Sequence, residues 1–445
     1  MKLHGAVNTV GNRLAMARRA ALPLALLLAL PGGAFAFELD YRIGASVVHS
    51  DNINLSESAP DSETVISPEF EFTAEQIGSA IELNARGALQ YLDYQSGEYQ
   101  SEFRGEFAGQ LQWKMIPQRL DFVVEDYLSQ QPIDITSGAT PNNRQQVNVL
   151  TFGPSLFLRF GEAMRGQLDA RYTDTYAEET QDFNGKRYNL GAHLFRQFTP
   201  LSSISFNAES TQVEYDDMLL DADYRRYDGY VGYTRESKRL NLDLVGGYTR
   251  IEPENGDPDL DGPLFRGRLD WSISARSSLN ARLAYQFSDT ALDAVLYNTD
   301  ADGPIIRALG ALNPLVGADI YKLRRAEAGY GYSGPRLGVQ VQSYHERVSY
   351  PDANIFDYEG SGIGVGGSYR LQPLLALDFS ASFAKRDFVD IDRGDDDVIL
   401  SIGLTRQFSR HWSASARVQR RDRDSDAAGQ SFKENLATLN ISYRR

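Results

Sequence analysis

The chain has 445 residues, no cysteine, and 60 acidic against 45 basic side chains, which gives a net charge of −15. Without cysteine there is no disulfide framework, thiolate nucleophile or thiolate metal site. The acidic balance also argues against nucleic acid as a partner.

The first 36 residues have the pattern of a targeting segment. Basic residues at positions 2, 13, 18 and 19 precede an apolar run over 20–30, and Ala34-Phe35-Ala36 follows it. This pattern predicts a secretory signal peptide over 1–36, cleaved after Ala36. A transmembrane anchor is the alternative, but the run is too short to span a bilayer as a helix. Cleavage leaves one predicted domain, residues 37–445, with 41 basic and 60 acidic side chains and a net charge of −19.

From Tyr41 onward, segments of about ten residues alternate between apolar and polar side chains and then end in a turn. In the segment 101–114 one face is Phe103, Gly105, Phe107, Gly109, Leu111 and Trp113, and the other includes Arg104, Glu106, Gln110 and Lys114. No second class of element could cover so many apolar faces. Lipid accepts such faces, and a closed barrel leaves no sheet edge unpaired. A soluble β-solenoid also alternates, but the chain shows no fixed repeat.

The connections alternate between short turns and long polar loops. The long ones lie near residues 51–63, 93–99, 129–144, 177–186, 216–222, 252–262, 288–319, 351–357, 387–396 and 422–430. Ten long loops and nine short turns predict an all-β transmembrane antiparallel barrel of about 20 strands (18–22), with short periplasmic turns, long extracellular loops and both termini in the periplasm.

The loop from Ser288 to Asp319 is too apolar for a freely solvated segment. Its candidate constriction residues are Leu296, Ile305, Ile306, Arg307 and Leu309. One hypothesis is that the loop folds into the lumen and narrows it. The alternative is that it packs on a neighbouring loop or subunit.

The polar faces of the strands predict a lumen of mixed charge. The candidate pore-lining residues are Arg86, Arg104, Arg171, Asp169, Arg266, Arg268, Asp270, Arg282 and Arg417. Mixed charge with many Ser, Asn and Gln suits hydrated solutes or sugars. The alternative is that these groups form cross-strand pairs that only hold the wall together.

Neither catalysis nor a cofactor is indicated. His49, His193, His345 and His411 fall on separate strands or turns without metal-ligand spacing. A serine and an acid could meet one of them across strands, as in barrel phospholipases, but no motif supports this. The acidic runs near 252–261 and 387–397 match no calcium loop and read as solvated loops. The chain is therefore predicted not to be an enzyme, with no metal and no cofactor.

Three N-terminal segments go beyond this pattern: residues 47–55 (VVHSDNINL), 67–70 (SPEF) and 89–94 (LQYLDY). They resemble the N-terminus of a family of outer-membrane β-barrel porins. One branch of that family is found with the PEP-CTERM/exosortase system and exopolysaccharide gene clusters. The close match covers about the first sixty mature residues. The resemblance implies a role in exopolysaccharide export or handling, whereas the Asp51-Asn52 pair itself is explained by a strand-ending turn.

The function predicted from these observations is a pore in the bacterial outer membrane that supports exopolysaccharide export. The alternatives are an uptake porin for small hydrophilic solutes and a non-conducting envelope scaffold. Expected partners are outer-membrane lipid and lipopolysaccharide, the barrel-assembly machinery, and polysaccharide with periplasmic export proteins. The insertion signal read by the assembly machinery usually ends on an aromatic residue, and here Tyr443 stands two residues early.

Overall fold

The computed structural model describes residues 37–293, 316–351 and 356–445, so the predicted signal peptide lies outside the described residues. Within the described residues there are twenty strands and a short 3-10 helix, Gln181–Phe183, and residues 290–293 are helical. The strands are β1 (Phe37–Ser50), β2 (Glu63–Ile77), β3 (Ile81–Tyr94), β4 (Glu102–Ile116), β5 (Leu120–Gln131), β6 (Gln145–Arg159), β7 (Met164–Ala177), β8 (Gly185–Thr199), β9 (Ser202–Tyr215), β10 (Tyr224–Glu236), β11 (Leu240–Pro253), β12 (Leu260–Ser272), β13 (Ser277–Ser288), β14 (Tyr321–Ser333), β15 (Leu337–Ser349), β16 (Tyr358–Gln372), β17 (Leu375–Phe388), β18 (Arg393–Gln407), β19 (Trp412–Ser425) and β20 (Phe432–Arg444).

Each strand pairs antiparallel with the next along the chain, and the sheet closes on itself. The closing pair joins β1 to β20, from Arg42 opposite Arg444 to Ser50 opposite Leu436. A closed antiparallel sheet satisfies every strand without an edge. The predicted barrel and the strand number of about 20 are confirmed. The described residues contain no helix that is long and apolar enough to cross a membrane.

The Asp51-Asn52 turn holds the barrel seam together. Asp51 accepts two hydrogen bonds from Asn435, one from the backbone N–H and one from the side-chain amide, both at 2.7 Å. Asn52 Nδ2 donates to the carbonyl of Lys433 at 2.9 Å and to that of Ser56 at 2.8 Å. A pair that the sequence explains as a local turn therefore also ties the first strand to the last.

The strand faces follow the predicted alternation. Outward apolar side chains are exposed on every part of the wall, as Phe103 (69%), Leu439 (62%) and Ile402 (50%) illustrate. Phe287 is an exception to the predicted faces. The alternation places it towards lipid, and the register puts it opposite Lys322 of β14, but it is only 4% exposed and packs with Val213, Tyr224 and Ile251. It is the last residue but one of β13, so its ring is covered although the strand period is kept.

One acidic residue faces outward in the middle of the wall. Asp126 on β5 lies between Gly109 and Leu150 of the flanking strands. It is 7% exposed and accepts a 2.7 Å hydrogen bond from Asn148 Nδ2. The neighbouring amide thus satisfies this carboxyl group inside an apolar surface.

The connections alternate in length as predicted. The end of the barrel with the long connections is called extracellular below, and the end with the chain termini periplasmic. The prediction that the acidic run near 387–396 is a solvated loop is wrong in part. Its connection is only 389–392, and the inward Asp395 and Asp397 of β18 pair with Arg393 and Arg423 at 2.7 Å. These carboxylates are therefore paired wall residues and not a solvated loop.

Candidate functional site in the barrel lumen

The periplasmic half of the lumen is polar and open to water. Inward side chains at this level are solvent-exposed, among them Asn84, Gln110, Gln340 and Arg417. A cavity of about 830 Å³ extends along the inner wall from β15 to β19, and Leu55 and Ala139 of the extracellular loops form part of its lining. Water inside the barrel is what allows these polar side chains to remain on the inner face.

All nine candidate pore-lining residues lie on inward faces, but they differ in environment. Arg86, Arg266, Arg268, Asp270 and Arg417 line the water-accessible part. Asp169 and Arg171 are an ion pair at 3.1 Å with little exposure, and Arg282 is 15% exposed and lies 3.8 Å from Glu327. Arg104 is 6% exposed and donates to the carbonyl of Pro141 in the loop between β5 and β6. It therefore belongs to the closed end of the barrel and does not face the open lumen.

An arginine-rich cavity of about 380 Å³ lies on the wall from β10 to β14. It is lined by Tyr230, Asp243, Arg266, Arg268, Arg282, Arg325 and Glu327, among others. Arg268 pairs with Asp270 at 2.8 Å, and Arg325 lies in ion pairs with two glutamates. Arg266 packs over the Tyr230 ring at 5.7 Å, and its Nε has no hydrogen-bond partner within the described chain.

The inner wall at the extracellular end of the lumen is buried. Inward side chains at the upper ends of most strands are buried, including Ser50, Glu63, Val147, Ala177, Val213, Tyr224, Ile251, Tyr321, Val348, Tyr358 and Phe388. If the mouth of the barrel were open, inward side chains at the strand ends would be exposed to water. Loops must therefore cover these side chains from inside the barrel.

The loop at 132–144 crosses the whole lumen. It leaves β5, yet Ile135 is 5% exposed and packs in a cluster with Tyr321, Val348, Tyr358 and Phe388. These partners belong to β14 to β17, about ten strands away and thus on the opposite wall. The loop therefore spans the barrel from wall to wall.

Asn143 gives this loop a defined shape. Its side-chain oxygen accepts the N–H of Asp134 at 2.8 Å, and its Nδ2 donates to the carbonyls of Asp134 and Gly138 at 2.8 and 3.0 Å. Burial, reinforced by the nearby Arg104 and Arg421 charges, lowers the pKa of Arg144 to about 10. Arg144 also donates to the carbonyl of Ala139 at 2.7 Å, a further contact within the loop.

Both ends of the loop between β13 and β14 also lie inside the barrel. Ala291 and Val316 are 2% and 1% exposed and pack with Val147 on β6 and Ala177 on β7. Asp289 pairs with Arg187 of β8 at 2.7 Å and accepts a hydrogen bond from Tyr224 of β10 at 3.1 Å. We call 132–144, 289–293 and 316–320 together the cap.

Two buried carboxyl groups of the cap have opposite pKa shifts. Burial alone would raise the pKa of Asp289, but the Arg187 charge and the N–H of Leu292 outweigh burial and lower it. Burial raises the pKa of Asp293 to about 7, although Ser288 and Tyr321 donate hydrogen bonds to it. Asp289 is therefore ionised in the closed state, whereas Asp293 changes charge near neutral pH.

The predicted constriction residues Leu296, Ile305, Ile306, Arg307 and Leu309 lie outside the described residues. The described ends of the same loop contact the inner wall, and a constriction by these five residues stays a prediction. The long loop predicted at 129–144 is present, but its passage through the lumen is not predicted from the sequence. Its signal was the single apolar side chain of Ile135 between Asp134 and Thr136, which resembles any loop residue until its partners are known.

A serine, a histidine and an acid do meet in the lumen, but not as a catalytic triad. Ser155 Oγ donates to Asp169, and His193 Nε2 lies 3.2 Å from the same carboxylate. The other ring nitrogen of His193 bonds Asn207 at 2.9 Å. Neither nitrogen is available to take a proton from Ser155, which a nucleophilic serine needs. Among the described residues there is also no group of three His, Cys, Asp or Glu side chains placed to hold a metal ion.

We expect Ile135→Asp to open the cap. A carboxylate in the apolar cluster on the far wall has no partner there, and an unpaired buried charge is strongly unfavourable. Single-channel recordings should show a higher open probability than in the native protein. Val389→Asp, at a 50% exposed loop position, is the matched control and should behave like the native protein. Identical recordings for both variants would contradict a closing role for Ile135.

A closed barrel of twenty antiparallel strands with an apolar outer wall and a polar lumen is a porin-like β-barrel of the outer membrane. A family model described as "Putative beta-barrel porin 2" matches residues 357–445. That region corresponds to β16 to β20, whereas the resemblance noted from the sequence rests on the N-terminal segments. The likeness to β-barrel porins is thus confirmed for the last strands, and the link to exopolysaccharide gene clusters stays a prediction.

No curated protein matches the chain. Among solved structures, the FrpB iron transporter from Neisseria meningitidis (F3-3 variant) is 9% identical with a TM-score of 0.42, over 95% of this chain and 83% of that one. The siderophore receptor PirA from Acinetobacter baumannii is 8% identical with a TM-score of 0.48, over 93% and 81%. Acinetobacter baumannii OccAB3 is 9% identical with a TM-score of 0.41, over 92% and 99%. These similarities are too distant to assign roles to residues of this chain.

Proposed function

We propose that the chain is a gated outer-membrane pore that supports export of an exopolysaccharide from the periplasm. The observation that carries this proposal is the asymmetry of the lumen. The lumen is polar and accessible to water from the periplasmic side, whereas the cap covers it at the extracellular side. A periplasmic solute can therefore reach the inner wall before the cap opens, whereas an external solute meets the cap first.

The inner wall suits sugars. Amide and hydroxyl side chains such as Asn84, Gln110 and Ser401 can exchange hydrogen bonds with sugar hydroxyls. Tyr230 offers a ring face, and Arg266 beside it offers donors for the carboxylate of an acidic sugar. The cargo class that fits best is therefore a hydrated polysaccharide with acidic residues.

A non-conducting envelope scaffold is the second candidate, because the described part of the cap blocks the lumen. An uptake porin fits less well, since it needs an entrance on the extracellular side. The three candidates differ in what they conduct once the cap is removed.

Single-channel conductance in planar bilayers tests the proposal. We compare the native protein with a variant lacking residues 294–318, and add uronic-acid oligosaccharides to either side. We expect larger steps in the deletion variant, blocked more strongly from the periplasmic side. Unchanged conductance on deletion would contradict a constricting loop. Steps insensitive to oligosaccharide would favour an uptake porin. No steps from a folded deletion variant that also carries Ile135→Asp would favour a scaffold.

The Arg266→Gln and Arg268→Gln variants test the lumen wall. Each should weaken the block by acidic oligosaccharide about tenfold or more, because a charged hydrogen bond contributes about 1.5–3 kcal/mol. Arg42→Gln is the control, since Arg42 pairs with Glu71 at 3.2 Å away from this cavity. Equal losses in all three variants would instead indicate an unspecific effect of lumen charge.

A further inference from the structure

Three basic side chains stand together on the outer wall near the extracellular ends of β14 and β15. Arg324 and Arg347 lie directly opposite each other in the antiparallel pair. Lys322 lies two residues from Arg324 on the same face, and the intervening Leu323 is only 1% exposed on the inner face. Like charges directly opposite each other destabilise a sheet, so this arrangement calls for a compensating anion.

The described chain offsets only part of this charge. Lys322 and Arg324 lie over the rings of Phe287 and Tyr285 at 5.0 and 5.2 Å, which are apolar neighbours. Two acids act on Arg347: Glu359 lies opposite it and 3.7 Å from His345 Nε2, and Asp357 interacts with it electrostatically.

Other outward basic residues at this end of the barrel do have acidic partners. Lys385 pairs with Asp387 at 3.1 Å, and Arg250 pairs with Asp259 at 2.5 Å and with Glu252 at 2.9 Å. The three-residue cluster is thus a local positive patch on a chain whose net charge is −15.

The wall below the cluster is apolar. Ala326 and Ala328 continue the outward face of β14 towards the periplasm, and Leu283, opposite Ala326, is 49% exposed. The basic groups therefore stand where the lipid-facing surface ends and the headgroup layer begins. A ligand that fits has acyl chains for the wall and phosphate groups at the level of the cations.

We propose that Lys322, Arg324 and Arg347 bind the phosphate groups of a lipid A-type lipopolysaccharide in the outer leaflet. Guanidinium groups bind phosphate oxygens in pairs of hydrogen bonds, and a bound phosphate removes the repulsion between Arg324 and Arg347. This binding does not depend on whether the lumen conducts.

Binding of defined lipids to the purified mature protein in detergent tests the proposal. The variant carrying Lys322→Gln, Arg324→Gln and Arg347→Gln should bind diphosphoryl lipid A at least tenfold more weakly than the native protein. A control carrying Lys385→Gln and Arg250→Gln removes outward charges that have acidic partners, and it should keep native affinity. Heat-modifiable mobility on gels shows that each variant is folded.

Three outcomes would overturn the proposal. One is equal binding of lipid A by the cluster variant and the native protein. Another is equal loss of binding in the control variant, which would indicate a general charge effect. The third is equal affinity of the native protein for lipid A and for phosphatidylglycerol vesicles, or displacement of lipid A by inorganic phosphate alone.

Discussion

Replacing Arg187 by Gln should open the cap, with the largest effect of any single substitution considered for this protein. The Arg187–Asp289 pair spans from β8 to the cap, and both side chains are at most 10% exposed. Removing one partner of a buried ion pair costs about 3–5 kcal/mol, because the remaining charge is left uncompensated. In the open state Asp289 can reach water, so this cost falls on the closed state alone. The closed-to-open ratio should fall roughly 100-fold or more.

The absence of cysteine from the chain gives a clean readout for this variant. Val213→Cys places one thiol beneath the cap, where Val213 is 1% exposed. Labelling by an impermeant maleimide added outside the cell should accelerate when Arg187→Gln is added. Arg250→Gln, which breaks an exposed pair of similar length, should leave the rate unchanged because such pairs contribute about 0–1 kcal/mol. Adding Asp289→Asn to Arg187→Gln should slow labelling again. If Arg187→Gln leaves the labelling rate unchanged, Arg187 does not hold the cap closed.

Raising the pH from 5 to 8 should also favour opening, through Asp293. Burial raises the pKa of Asp293 to about 7 in the closed state, whereas an Asp in water has an ordinary value near 4. Between these values the closed state holds a proton that the open state has lost. The preference for the closed state is therefore strongest at low pH, and it is lost as the pH rises through 7. Each pH unit in this window shifts the ratio about tenfold.

The groups facing Asp293 set this expectation. Ser288 and Tyr321 donate hydrogen bonds to it, Asp289 repels its charge, and Arg325 attracts it. The pKa of Asp289 is shifted in the opposite direction, below the ordinary value. Asp289 therefore stays ionised throughout this range. Open probability measured from pH 5 to 8 should rise in the native protein and stay flat in Asp293→Asn. Asp390→Asn, in an exposed loop, is the control; a native-like pH profile in Asp293→Asn would assign the titration to another group.

The barrel could be predicted from the sequence because its physical cause is local. Each strand alternates with period two, so the outward faces of Phe103 and Leu439 are visible in any short window. Turn and loop lengths then place the strands in order, because consecutive antiparallel strands need only short connections. The inward faces of Arg266, Arg268 and Arg417 follow from the same alternation.

The closed extracellular end could not be predicted, because it depends on contacts between distant parts of the chain. Ile135 is one apolar residue in a polar loop, and its partners lie on β14 to β17. Asp289 and Arg187 are separated by five strands, so no sequence window contains both. Phe287 shows the same limit on a smaller scale, since the alternation of β13 does not reveal that its ring is buried with Val213 and Tyr224 of other strands.

The sequence by itself determined the architecture, the outer-membrane location and the polar character of the lumen. Strand alternation and the cost of an unpaired backbone in lipid leave one solution, a closed barrel. Only the tertiary structure decided which inward side chains are exposed to water and which are buried. Inward Arg104 and inward Arg417 look alike in sequence, yet the first is packed beneath a loop from β5 and the second faces water. That difference arises because a barrel brings loops from opposite walls within reach of one another.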